Sequence, residues 1–229
     1  MSAEVFDFFP LSVFKDKIIL SNSEKNLIKK FIIDSEEKSK KVIKRKGDAW
    51  LGDTRGQEFL LKNNIMNNLT NLISQKIKLY TEMLSLDNDK LIFFYQRSWA
   101  TITKTNERIQ PHSHDQSNIS FAYYLTKPKN SGNIRFITEP QNEIAKGLFH
   151  KEKLDLGLLK KVNKRNTPNI DLHIEEDNIV IFPSKTKHAT IPSTSNDTRI
   201  SISGDVIIML KDSFGHERLM PHFDNWQEF

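Results

Sequence analysis

From Leu91 onward the chain is cut into short apolar or alternating runs, LIFFYQRSWATIT, NISFAYYL, GNIRFI, NIVIF and RISISGDVII, separated by clusters of Pro, Gly, Asn and Asp. Runs of this length, rich in β-branched and aromatic residues and bounded by turn formers, read as strands. Connections without a crossover helix make neighbouring strands antiparallel, so the second half is expected to form a sandwich, jelly roll or barrel. Before Asn88 the period is helical. Ser21 to Glu24 (SNSE) has the form of a capping box, and Leu27, Ile28, Phe31 and Ile32 follow on one face, so a helix starts near Ser21, fades in a lysine run and ends by Gly47. A second helix is marked by Ile65, Leu69, Leu72, Ile73, Lys76, Ile77, Tyr80 and Leu84, a stripe that only Lys76 interrupts. Between them, residues 47–56 (GDAWLGDTRG) are turn-rich, with Trp50 and Leu51 as anchors on the core.

The expected organisation is one mostly β domain over residues 1–229: helical support in 1–88, a β core in 89–210 and a tail in 211–229. Residues 141–171 carry fewer strand signals and read as an insertion with some helix around Leu154–Val162. The tail, FGHERLMPHFDNWQEF, either folds back over the barrel or serves a homodimer contact.

Composition narrows the chemistry. Of 229 residues 37% are hydrophobic and 28% charged, which suits a water-soluble globule with a sizeable core. There is no cysteine, so disulfides, thiolate-held zinc, iron–sulfur clusters and a thiol nucleophile are all excluded. Any metal must be held by His, Asp, Glu or carbonyl oxygen. Acidic residues interrupt the apolar N-terminus and no basic stretch precedes them, so a cytoplasmic location is expected. No apolar run approaches the roughly 20 residues needed to cross a bilayer, so no membrane partner is expected. The basic cluster Lys38, Lys40, Lys41, Lys44, Arg45 and Lys46 lies at the end of the first helix, where cations suit the helix dipole; nucleic acid is not an expected partner.

The segment PHSHD, residues 111–115, holds the most informative side chains. In a strand, positions two apart share a face, so His112 and His114 would project together toward one metal ion, with Asp115 facing away unless the chain turns. His188 follows the buried-strand pattern NIVIFP and opens a further short run, HATIP. Eleven residues later Arg199, Ser201 and Ser203 share one face of a strand while Ile200 and Ile202 take the other. An arginine inside such a strand calls for an anion, because an unpaired buried guanidinium is costly, and its planar fork matches a carboxylate. His150, His173, His216 and His222 lack such a pattern, and Trp99, Phe121, Phe136 and Phe182 read as core.

The order H-x-H, then H, then R-x-S about ten residues on resembles the Fe(II)/2-oxoglutarate-dependent dioxygenases. More narrowly, the chain is similar to the small 2-oxoglutarate–Fe(II) oxygenases of marine bacteria, cyanobacteria and their phages, a prolyl-hydroxylase-like branch. The segments that carry the likeness are SWATITKTNERIQPHSH, NISFAYYL, SGNIRF with EP, NIVIFPSKTKHATIP and RISISGDV. The resemblance implies a double-stranded β-helix, or jelly roll, with the metal near one mouth. It makes His112, His114 and His188 iron ligands, with Asp115 as an alternative ligand, since two His and one carboxylate is the commoner set. It assigns the far carboxylate of 2-oxoglutarate to Arg199, Ser201 and Tyr124. It also implies that Fe(II), 2-oxoglutarate and O2 hydroxylate a small-molecule or peptidyl substrate, with decarboxylation to succinate. Two other readings of the same residues are a cupin-like three-histidine metal enzyme that uses no 2-oxoglutarate, and a non-catalytic β-barrel binding module.

Overall fold

The computed structural model describes residues 3–7, 10–39, 45–137, 157, 160–161, 163–212, 215 and 220–229. The elements are β1 (Phe14–Lys17), α1 (Asn22–Lys38), β2 (Trp50–Leu51), α2 (Asn67–Met83), β3 (Leu91–Thr103), β4 (Ile119–Thr126), β5 (Ile134–Ile137), β6 (Asn169–Leu172), β7 (Asn178–Pro183), β8 (His188–Thr190) and β9 (Arg199–Leu210). Six strands form one sheet in the order β1-β7-β4-β9-β3-β2, and three form another in the order β6-β5-β8. Every pairing is antiparallel. The two facing sheets make the jelly-roll core, with both helices outside it.

Period-two alternation sorts the large sheet into two faces with different chemistry. On the outer face Phe121, Tyr123 and Leu125 of β4, Ile179 and Ile181 of β7, and Ile200, Ile202 and Val206 of β9 are buried. They share one core with Ile28 and Ile32 of α1 and Leu69, Ile73, Ile77 and Tyr80 of α2. Burying each such side chain contributes roughly 1.5–3 kcal/mol, so the helices are held mainly by this stripe rather than by propensity. The inner face carries Trp99, Ser120, Ala122, Tyr124, Phe182, Arg199, Ser201 and Ser203, and these line a cavity against the small sheet. Gly204 is needed where β9 passes β4: a β-carbon there would lie 2.7 Å from the Phe121 ring and 2.8 Å from the Arg97 carbonyl.

The capping box at Ser21 forms as expected, with the Ser21 side chain and Glu24 satisfying each other's backbone amides. The helix ends at Lys38, well before Gly47, because Ser39 caps it: its hydroxyl donates to the Glu36 carbonyl at 2.9 Å and accepts Trp50 Nε1 at 2.8 Å. That bond ties the GDAWLGDTRG turn to α1. Lys76, the break in the second stripe, reaches across to Asp16 of β1 at 2.7 Å. Three short strands, β1, β2 and β6, lie where the sequence marks no strand, β2 within the GDAWLGDTRG turn and β6 across the end of the supposed insertion. Lys40, Lys41, Lys44, His150, His216 and most of the helix expected at Leu154–Val162 lie outside the described residues. No helix among the described residues is long and apolar enough to cross a membrane.

Candidate active site

Three segments bring His112, His114 and His188 together. His112 and His188 form an isolated antiparallel bridge, each backbone amide donating to the other's carbonyl at 2.9 Å, and the His114 amide donates to the Ser184 carbonyl at 2.9 Å. One ring nitrogen from each histidine lies within 4.8 Å of the others, a spacing that could hold a metal ion. The second nitrogen of each ring is already committed. His112 Nδ1 lies 2.8 Å from the Gln110 carbonyl, His188 Nδ1 lies 2.8 Å from the Thr186 carbonyl, and His114 Nδ1 lies 2.9 Å from the Asp205 carboxylate. A carbonyl only accepts, so Nδ1 carries the proton in His112 and His188, and Nε2 keeps its lone pair. Burial pushes the His112 pKa down and that of His188 down to about 3. Both rings are therefore neutral near pH 7, the form that binds metal.

The rings are also packed from behind. Trp99 stacks on His114 with centroids 5.6 Å apart, and Phe182 meets His188 edge-on at 4.7 Å. Asp205 is 2% exposed. Besides its bond from His114 it accepts the Ser120 hydroxyl at 2.8 Å, so the buried charge is hydrogen-bonded on both oxygens.

Deeper in the same cavity lies Arg199, 1% exposed. Its Nη1 donates to the Ser131 and Gly132 carbonyls, each at 2.9 Å; Nη2 donates to Thr103 Oγ1 at 2.9 Å and to Thr190 Oγ1 at 3.3 Å. These acceptors are all neutral. Its Nε is buried and has no partner, and burial pushes the guanidinium pKa down with no carboxylate to offset it. Gly132 makes the collar possible: it has φ +78, and a β-carbon there would fall 2.0 Å from the Ile191 carbonyl oxygen. Ser201 and Tyr124 are cross-strand partners in the β4–β9 register and line the same cavity. Burial raises the Tyr124 pKa, so its phenol stays a neutral donor. Thr101 Oγ1, opposite Ser201 on β3, is buried without a partner.

Residues 97–205 match the model of a family described as "Putative 2OG-Fe(II) oxygenase". The matched stretch holds His112, His114, His188 and Arg199, so this β core is similar to that of the 2OG-Fe(II) oxygenases. Among solved structures the chain is similar to the non-heme alpha-ketoglutarate-dependent carbocyclase SnoK from nogalamycin biosynthesis, with a TM-score of 0.56, 10% identity, and coverage of 92% of this chain and 87% of that one. AviO1 from Streptomyces viridochromogenes Tue57 aligns with a TM-score of 0.54 and 7% identity over 92% of each chain. A Pseudomonas putida prolyl-4-hydroxylase aligns with a TM-score of 0.50 and 10% identity, over 85% of this chain and 92% of its own. At such identities the likeness is one of fold. No curated protein matches the sequence.

The fold brings together six residues singled out in the sequence: His112, His114 and His188 around one point, and Tyr124, Arg199 and Ser201 within the cavity they share. Asp115 stands apart from them. It is exposed, accepts the Ser113 hydroxyl at 3.1 Å, and has no oxygen in the histidine cluster. The carboxylate that does approach is Asp205, one hydrogen bond behind His114. It was legible in principle, since positions 199, 201, 203 and 205 alternate onto one face, but nothing in the sequence names His114 as its partner. Trp99 and Phe182, read as core, are buried as expected and also wall the cavity. His173 and His222 are not in the cluster.

The donor set suits Fe(II), a borderline ion that accepts imidazole nitrogen. The orphaned Nε of a buried guanidinium suits an anion in the pocket, so both members of the implied pair fit the residues present.

Proposed function

We propose that this oxygenase is a hydroxylase in which His112, His114 and His188 hold Fe(II), while Arg199, with the Ser201 and Tyr124 hydroxyls, receives the far carboxylate of 2-oxoglutarate. The observation that carries this reading is one cavity that pairs three imidazole lone pairs with a guanidinium facing no carboxylate. When bound, the iron and 2-oxoglutarate supply oxidation of a C–H bond by O2, with 2-oxoglutarate converted to succinate and CO2 and one oxygen atom delivered as hydroxyl.

The chain's own residues supply the geometry. Gln110, Thr186 and Asp205 fix the three ring orientations through Nδ1 and aim Nε2 at one point. The collar of Ser131, Gly132, Thr103 and Thr190 holds the guanidinium in place before any ligand arrives, so little is lost on binding to ordering it. Ile134, Ala122 and Phe182 give the pocket apolar walls that exclude water and strengthen the attraction between Arg199 and an anion.

The test is an anaerobic titration with Fe(II) and then 2-oxoglutarate, followed by an O2 pulse and assay of succinate. Succinate should require all three additions, and Arg199→Ala should abolish saturable 2-oxoglutarate binding while metal binding persists. Metal-dependent turnover indifferent to 2-oxoglutarate would favour the cupin-like reading. Protein that binds neither ligand, with unchanged thermal stability, would favour the binding module.

A further inference from the structure

Outside the triad a second cavity of about 350 Å³ opens, sharing Leu51, Ile109 and His112 with the first as a common wall. Its rim carries Arg45, Arg55 and Arg108. Arginine pairing elsewhere in the chain makes this rim unusual. Arg97 pairs with Asp53 at 2.6 Å, Arg135 with Asp171 at 2.6 Å and Arg165 with Asp7 at 2.9 Å. Among the described residues the arginines with no carboxylate partner are Arg199 and these three. All four therefore line the two adjoining cavities, and the Nε of Arg55 is itself buried without a hydrogen-bond partner. The carboxylate on the rim, Asp48, is occupied by Gln110 Nε2 at 2.7 Å.

The backbone holds this arrangement in place. Residues 47–49 run beside Arg108, whose amide donates to the Gly47 carbonyl at 2.9 Å and whose carbonyl accepts the Ala49 amide at 2.9 Å. That pairing sets Arg45 and Arg108 on neighbouring stretches, and Arg55 enters from the far end of the same turn. Three guanidiniums less one carboxylate leave two positive charges beside His112.

We infer that the outer cavity is the substrate site and that the substrate is a small molecule bearing a dianionic oxyanion, a phosphomonoester or a dicarboxylate. Planar guanidinium forks match such oxygens bidentately, and a doubly charged group balances the rim. Anchored there, the substrate extends past Leu51 and Ile109 and presents its reacting C–H at the triad. The inference rests on the oxygenase reading, which supplies the chemistry at His112.

The test uses the full chain loaded with Mn(II) and 2-oxoglutarate, so that no turnover occurs and the metal relaxes nearby nuclei. Phenyl phosphate, phthalate and the neutral benzyl alcohol are the probes. We expect Mn(II)-dependent relaxation of phenyl phosphate or phthalate nuclei and none for benzyl alcohol; which of the two dianions binds tighter separates phosphate from dicarboxylate. Arg55→Gln and Arg108→Gln should each weaken that binding by about tenfold, the scale of one lost charge-assisted interaction, with 2-oxoglutarate relaxation unchanged as the control for an intact fold. Dianion binding that is absent, or that ignores both substitutions while 2-oxoglutarate is still relaxed, overturns the inference and leaves the oxygenase reading standing. A short RNA binding more tightly than either dianion through the same arginines overturns the small-molecule assignment. Failure of the oxygenase reading looks different: 2-oxoglutarate itself shows no Mn(II)-dependent relaxation, and the inference falls with it.

Discussion

The two ends of the inner cavity treat charge in opposite ways. At the histidine end every Nδ1 has an acceptor, and one acceptor is the carboxylate of Asp205, so negative charge lies one hydrogen bond behind the metal-facing nitrogens. At the arginine end a full positive charge is 1% exposed among neutral oxygens, with one donor left over. The first end is finished by protein and awaits a cation whose charge Asp205 partly offsets. The second is unfinished, and an isolated buried charge of that kind is costly unless something neutralises it. On the proposed reading the contrast divides the ligands' charges, with a cation at the mouth and a carboxylate at the depth.

The largest effect should come from removing one imidazole. His188→Ala leaves two nitrogens for the metal and should abolish the rise in melting temperature that Fe(II) or Mn(II) produces in the parent, because only binding to the native state can give that rise. Next is Arg199→Met. Losing the positive charge and its one free donor should weaken 2-oxoglutarate about 10- to 100-fold by calorimetry. Metal binding should be unchanged, and the unliganded fold should lose little, since an apolar replacement for an uncompensated charge is often near neutral. A collapse of the fold in Arg199→Met would show that the collar, rather than the ligand, is the main partner of that charge.

How far the sequence alone reveals this contrast depends on whether a residue's role is set by its own strand or by a distant one. β3 is recovered from Leu91 to Thr103 because alternation and flanking turn residues act locally. β1 is only four residues, FKDK, and is a strand because β7 offers it an edge; β6 is likewise defined by β5. At the site, three histidines and an arginine stand out as polar groups in strand-like surroundings, and the structure gathers them. Their supports do not stand out. The collar is made partly of the Ser131 and Gly132 carbonyls, which any residue possesses, and the outer arginines come from residues 45, 55 and 108, separated in sequence and joined only by the 47–49 backbone pairing. The sequence places the cluster from Lys38 to Lys46 at a helix terminus, but the helix stops at Lys38 and Arg45 lines the outer cavity.

Asp205→Asn sharpens the comparison from the histidine side. An asparagine amide can still accept His114 Nδ1 through its oxygen, so ring orientation is kept while the charge is removed. Loss of an outer partner of this kind typically costs 10–100-fold in metal affinity. We expect a fall within about that range by competition with a chelating dye, together with unchanged 2-oxoglutarate affinity measured at saturating metal. Equal affinities for metal in parent and variant would mean that Asp205 acts through geometry alone.

The smallest expected effect probes the arginine end without touching its charge. Thr103→Val keeps the shape of the side chain and deletes one bond, from Nη2 at 2.9 Å. Thr190 Oγ1, at 3.3 Å, is then the remaining acceptor for Nη2, and it also accepts the Ile109 amide. A buried donor left short of partners costs about 1–3 kcal/mol, so the unliganded protein should melt a few degrees lower. With 2-oxoglutarate present the difference should narrow, because a carboxylate in the pocket offers the guanidinium a stronger acceptor than the lost hydroxyl. If the difference is instead the same with and without the ligand, the carboxylate does not reach Arg199, and the two ends of the cavity do not divide the ligands between them as proposed.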